Sequence, residues 1–126
     1  MRAELKSISS SDVDMPSFIP AVSDRFGFWC HARIGSQGSD SADLFQFCIC
    51  TPAWLISERL CGNLANASFG RNLILVFSYD FNEIVELVGS YAQSCEGDTW
   101  DEIATKLARV GEWEFDDYKH YSPQNR

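Results

Sequence analysis

Cationic residues are in short supply: ten Lys and Arg stand against eighteen Asp and Glu, for a formal net charge of -8. The clustered Lys and Arg that phosphate contacts demand are missing, which excludes nucleic-acid binding. The same sign of field repels anionic lipid. Histidine is scarcer still, with only His31 and His120. A Cys–His nucleophilic pair needs one of them beside a thiol, but His120 falls in a polar tail and His31 on a strand, where local satisfaction is the expected state. No uncharged apolar run reaches the roughly 18 residues of a membrane span. The N-terminal M-R-A-E-L-K-S-I also lacks the apolar core of a signal peptide. A cytoplasmic location is the expectation.

Cysteine is present in an odd number: Cys30, Cys48, Cys50, Cys61 and Cys95. An odd count without a secretion signal argues against a disulfide framework and for reduced thiols. Cys48-Ile49-Cys50 puts two sulfurs on one side of a strand, and Cys30 lies on the partner strand, so a zinc site is geometrically conceivable. Cys30 and His31 nevertheless point to opposite faces, and the loop-borne CxxC pairs of common zinc modules are lacking. Buried structural thiols, with no metal and no cofactor, are expected.

What the chain does have is core-forming material. Its 126 residues are 45% hydrophobic and 13% aromatic, enough for one ordered domain that buries roughly two-thirds of its unfolded surface. We expect that domain over residues 1–118, followed by a polar tail at 119–126. Ala3 to Ser9 alternates as a short edge or near-edge strand. Ser10 to Asp24, with Pro16 and Pro20, reads as an ordered loop from which Phe18 and Ile19 are expected to enter the core. Arg25 to Ile34 alternates as a strand, Gly35 to Asp40 turns, and Leu44 to Cys50 returns as an antiparallel partner, apolar on both faces and therefore central.

Thr51-Pro52 opens a helix, since Thr caps the first turn and Pro at the first position loses no hydrogen bond. That helix is expected to reach about Cys61. Asn72 to Ser78 reads as a strand inside the sheet, being apolar on both faces. Asp80 with Glu83 forms a capping box for a second helix, stapled by Tyr79 against Ile84, with Phe81, Ile84, Val85, Val88, Tyr91 and Ala92 toward the core. Thr99 caps a third helix, which carries Trp100, Ile103, Ala104 and Leu107 inward. Gly111 is expected to stop it in a left-handed conformation. A final strand then puts Trp113 and Phe115 on one face and Glu112, Glu114 and Asp116 on the other. The expected architecture is α+β, an antiparallel-rich sheet of four or five strands with about three helices packed mainly on one face.

The negative charge is concentrated. From Asp80 to Tyr118 eleven carboxylates stand against only Lys106 and Arg109. They fall on exposed faces, where the pKa shifts of an acid–base pair are least expected. A one-sided field of this kind steers basic partners, or serves solubility alone. A carboxylate-studded surface can also occupy the basic cleft of a nuclease as its substrate backbone would.

The run C-T-P-A-W-L at Cys50 to Leu55, the strand Asn72 to Ser78 leading into Tyr79-Asp80, and above all C-E-G-D-T-W-D-E-I-A-T-K-L-A-R-V-G-E-W-E-F-D-D-Y at Cys95 to Tyr118 resemble the immunity protein 8 family of bacterial polymorphic toxin systems. The loops Gly35 to Asp43 and Asn63 to Arg71 carry no part of the resemblance. It implies a stoichiometric inhibitor and not an enzyme: an antitoxin that binds the C-terminal domain of a toxin delivered by contact-dependent or type VI secretion. The acidic field implies a basic surface on that partner. Trp54, Trp100, Gly111 and Trp113 have folding roles, so the expected contact set is Glu112, Glu114 and Asp116, joined by Glu83 and Glu86 if the second helix borders that strand. The alternative is an acidic interaction or adaptor module without neutralising activity.

Overall fold

The computed structural model describes residues 1–116, so the expected tail at 119–126 lies outside the described residues. Five strands and three helices follow one another as β1 (Ala3–Ser9), β2 (Gly27–Ser36), β3 (Asp43–Cys50), α1 (Pro52–Leu60), β4 (Leu73–Leu75), α2 (Phe81–Ser94), α3 (Trp100–Leu107) and β5 (Glu112–Trp113). They form one mixed sheet in the order β1-β2-β3-β4, with β5 also on β3. The β1–β2, β2–β3 and β3–β5 pairings are antiparallel; β3–β4 is parallel. A parallel neighbour needs a crossover, and α1 supplies it. The fold is α+β with a mostly antiparallel sheet.

Alternation decides the two faces. Phe28, Cys30, Ala32 and Ile34 on β2 share a face with Phe45, Phe47 and Ile49 on β3, and all are buried. Onto them pack Ile84, Val88 and Ala92 of α2 with Ile103, Ala104 and Leu107 of α3. Each large apolar side chain so buried contributes about 1.5–3 kcal/mol. Two of the three helices therefore share one face. On the other, the Trp54 ring of α1 lies where a Cβ on Gly27 would approach to 2.3 Å, so only glycine admits the indole there.

The helix starts follow local chemistry. Thr51, Asp80 and Thr99 each accept from an amide three residues on, at Trp54, Glu83 and Glu102. Gly62, at φ +83, ends α1: Gly62 N–H donates to Arg59 and Asn63 N–H to Glu58, the paired bonds of a left-handed stop.

Four expectations need correction. Phe18 enters the core, edge-on to Phe26, Phe28 and Tyr79 at 5.0–5.9 Å, but Ile19 is 86% exposed. Neighbouring side chains in extended backbone diverge, and Pro20 holds Ile19 extended; the residue that accompanies Phe18 inward is Met15. Gly111 is not left-handed. Its role is close approach, since a Cβ there would meet Phe47 Cζ at 2.6 Å. The strand expected over Asn72 to Ser78 is only Leu73–Leu75 and lies at an edge, not inside, leaving Phe77 80% exposed. The last strand is likewise Glu112–Trp113 alone, followed by a turn closed by Asp116 N–H on the Trp113 carbonyl. β4 is short because it has only the Cys48–Cys50 stretch of β3, with β5 on Phe45–Gln46 before it and the end of β3 after it, whereas β5 is short because the chain turns at Trp113 to Asp116.

Candidate functional site

Three carboxylates converge where β5 meets the start of β4, each with a partner. Glu114 accepts from the Leu44 amide at 2.8 Å while its own amide donates back to the Leu44 carbonyl, extending the pairing one residue past β5. Glu112 accepts from Asn72 Nδ2 and Asp116 pairs with Arg71, both at 3.5 Å. The acidic ridge is therefore also a clasp between the β5 turn and the loop entering β4. Behind it, Asp43 Oδ2 accepts from Trp100 Nε1 at 2.7 Å and Trp113 Nε1 at 2.9 Å, so one oxygen ties α3 and β5 to the start of β3. The pattern gave one signal for this: a buried indole needs an acceptor.

Glu83 and Glu86 are exposed on α2. Glu83 lies one turn before Leu87, and Leu87 lines an apolar cleft of about 200 Å³ together with Tyr91, Leu107 and Val110. Phe47 and its neighbours floor the cleft, and β4 walls it. Glu112 follows Val110 by two residues. Glu112 pairs with Gln46 and so faces away from the side on which Phe45 and Phe47 line the cleft, and the structure does not bring it together with Glu83 and Glu86 of α2. The cleft escaped the sequence reading because an apolar run such as Asn72 to Ser78 reads equally as a buried strand and as an edge strand with outer residues uncovered. A second, polar hollow lies beside the N-terminus, where Arg2 pairs with Glu96 and holds that carboxyl below its usual range.

The thiols have structural surroundings. Cys30, Cys48, Cys50 and Cys95 are buried and Cys61 is exposed, all unbridged. Burial pushes Cys30 up to about 12. Cys48 is raised by its hydrogen bond to Cys50 and then by burial, and Cys95 by burial. Raised thiols stay protonated at neutral pH and are poor nucleophiles and ligands. Among the described residues no three His, Cys, Asp or Glu side chains gather as a metal would require, and no helix is long and apolar enough to cross a membrane.

The described residues thus form a small α+β fold with an apolar cleft beside β4 and an acidic ridge on β5 and its turn. The chain belongs to the Immunity protein 8 family, whose sequence model matches residues 3–118, and so to the immunity proteins of toxin systems. No curated protein and no solved structure matches it.

Proposed function

We propose that the protein is an antitoxin that binds a cognate toxin domain in the cytoplasm of the producing bacterium and neutralises it without chemistry of its own. The observation that carries this reading is the family match across β1 to β5. The partner is the C-terminal domain of a polymorphic toxin with a basic surface, a nuclease being the target such a surface suits. Glu83, Glu86, Glu112, Glu114 and Asp116 form the electrostatic contact set. Long-range attraction of this kind speeds encounter and selects partners more than it adds affinity.

The test is growth of bacteria induced to express the C-terminal domain encoded beside this gene. It is run with this protein, without it, and with a non-cognate immunity protein. Rescue by this protein alone is the expected outcome. Persistent toxicity despite soluble expression of the chain would overturn the reading.

A further inference from the structure

The free side of β4 is an unpaired edge beside the cleft. Cys48 N–H donates to the Asn72 carbonyl at 2.8 Å and Val76 N–H to the Cys50 carbonyl at 3.0 Å. Asn72, Ile74 and Val76 therefore address β3, and by alternation the amide and carbonyl of Leu75 point away from it. Among the described residues no strand pairs with that side. Charged or proline side chains commonly protect such edges. Here the edge carries Leu75, 56% exposed, and runs on to Phe77.

We infer that this edge accepts an extended, basic segment of the toxin, which pairs with β4 as a sixth strand and drops an apolar side chain into the cleft. Side chains of an added strand alternate between faces, so every second one lies on the helical side of the sheet, above the cleft. Leu87, also 56% exposed, stands at the cleft and is covered by that side chain. Charge selects the occupant. Glu112, which accepts from Asn72, puts a carboxylate at the β4 entrance, where Arg71 offsets Asp116, and Glu83 lies one turn before Leu87 on α2, so the surroundings of the path carry net negative charge and suit a Lys or Arg beside the apolar residue. A second copy of the chain fits poorly, because it would bring the same carboxylates and a net charge of -8 to the same edge.

The inference rests on the antitoxin reading, and the experiment separates their failures. Binding of the purified toxin domain is measured by calorimetry for wild type, Leu87→Arg, Leu75→Pro and Leu60→Arg, each checked for folding by circular dichroism. Leu87→Arg puts a cation in the cleft mouth. Leu75→Pro removes an amide that β3 does not use, a position where an edge strand tolerates proline. Both are expected to weaken binding at least about 30-fold, the loss typical of a contact at the centre of an interface. Leu60→Arg, at the exposed C-terminal end of α1, is expected to stay within about threefold. Amide exchange on the wild-type complex gives a readout independent of any variant: the Leu75 amide is expected to slow on binding. Wild-type-like binding by folded Leu87→Arg, or an unchanged Leu75 exchange rate, would overturn the docking while leaving the antitoxin reading intact. No binding by wild type would overturn both. A wild-type dimer in sedimentation that Leu75→Pro abolishes would assign the edge to self-pairing instead.

Discussion

Gly111 and Gly62 are constrained by different physics, and substitution distinguishes them. At Gly111 an alanine methyl collides with the Phe47 ring at 2.6 Å, so Gly111→Ala is expected to destabilise by about 1–3 kcal/mol through overpacking. Phe47→Leu makes room, and the alanine penalty is expected to shrink in that background. Equal penalties in both backgrounds, measured by urea unfolding, would show that contact with Phe47 is not the cause. At Gly62 space is free within 4 Å but φ is +83, so Gly62→Ala is expected to cost about 1 kcal/mol by backbone strain alone. Tyr79 is a third constrained position. Its hydroxyl donates to the Met15 carbonyl at 2.6 Å, and burial, aided by Cys30 and Asp14, pushes its pKa up to about 12. A raised acid favours the neutral phenol in the fold. Its contribution is therefore complete below the unfolded value near pH 10 and lost as pH rises toward 12. Burial raises Tyr91 as well, so an ultraviolet titration is expected to show two late tyrosines, of which Tyr79→Phe removes one. That variant also strands the Met15 carbonyl, at a cost of about 1 kcal/mol.

Among the elements, the α3–β5 unit depends on Asp43. Removing the carboxylate leaves two indole N–H groups without their acceptor, so Asp43→Ala is expected to lower stability by about 1.5–3 kcal/mol. Asp43→Asn, which keeps an oxygen, is expected to lose less. Tryptophan-monitored urea unfolding reads both, and an unaltered midpoint in Asp43→Ala would remove the tie from the account. The residues that bind Asp43 lie 57 and 70 positions away, which explains why this link was illegible in the sequence. What was legible is local: the caps Thr51, Asp80 and Thr99, the Ala3–Ser9 strand and the alternation of β2 and β3 all declare themselves within a few residues. What was not legible depends on neighbours distant in the chain. The length of β4 is fixed by its sharing of one edge of β3 with β5, and Gly111 is required by a ring on another strand. The Glu102 side chain, three residues after the Thr99 cap, does not reach back to the cap itself but accepts from the Asp98 amide, one residue further out. The candidate site divides in the same way. Its charge could be read from composition, while the cleft and the clasp formed by Glu112 and Asp116 arise only once β4 and β5 are set side by side.

For the molecule as a whole, the field and the fold draw on overlapping carboxylates, and a useful charge experiment must keep them apart. Reversing Glu112, Glu114 and Asp116 together would remove the acceptor of the Leu44 amide and the Arg71 pair, so slower association could not be separated from a loosened β5 turn. Glu83, Glu86 and Glu112 are the better set, because all three are exposed and, among the described residues, the side-chain bond at stake is the 3.5 Å contact to Asn72. Changing each to Lys shifts the charge by two units apiece, from -8 to -2. Rim charges act mainly on encounter, so the triple variant is expected to associate with the toxin domain about tenfold or more slowly at low salt. Its rate is expected to depend less on ionic strength than the wild-type rate, and dissociation to change little. Near 1 M salt, where the screening length is about 3 Å, the two proteins are expected to converge. Stopped-flow association across a salt series distinguishes these outcomes. A triple variant that keeps the wild-type rate and salt dependence would confine the acidic surface to solubility and leave recognition to the cleft and the β4 edge.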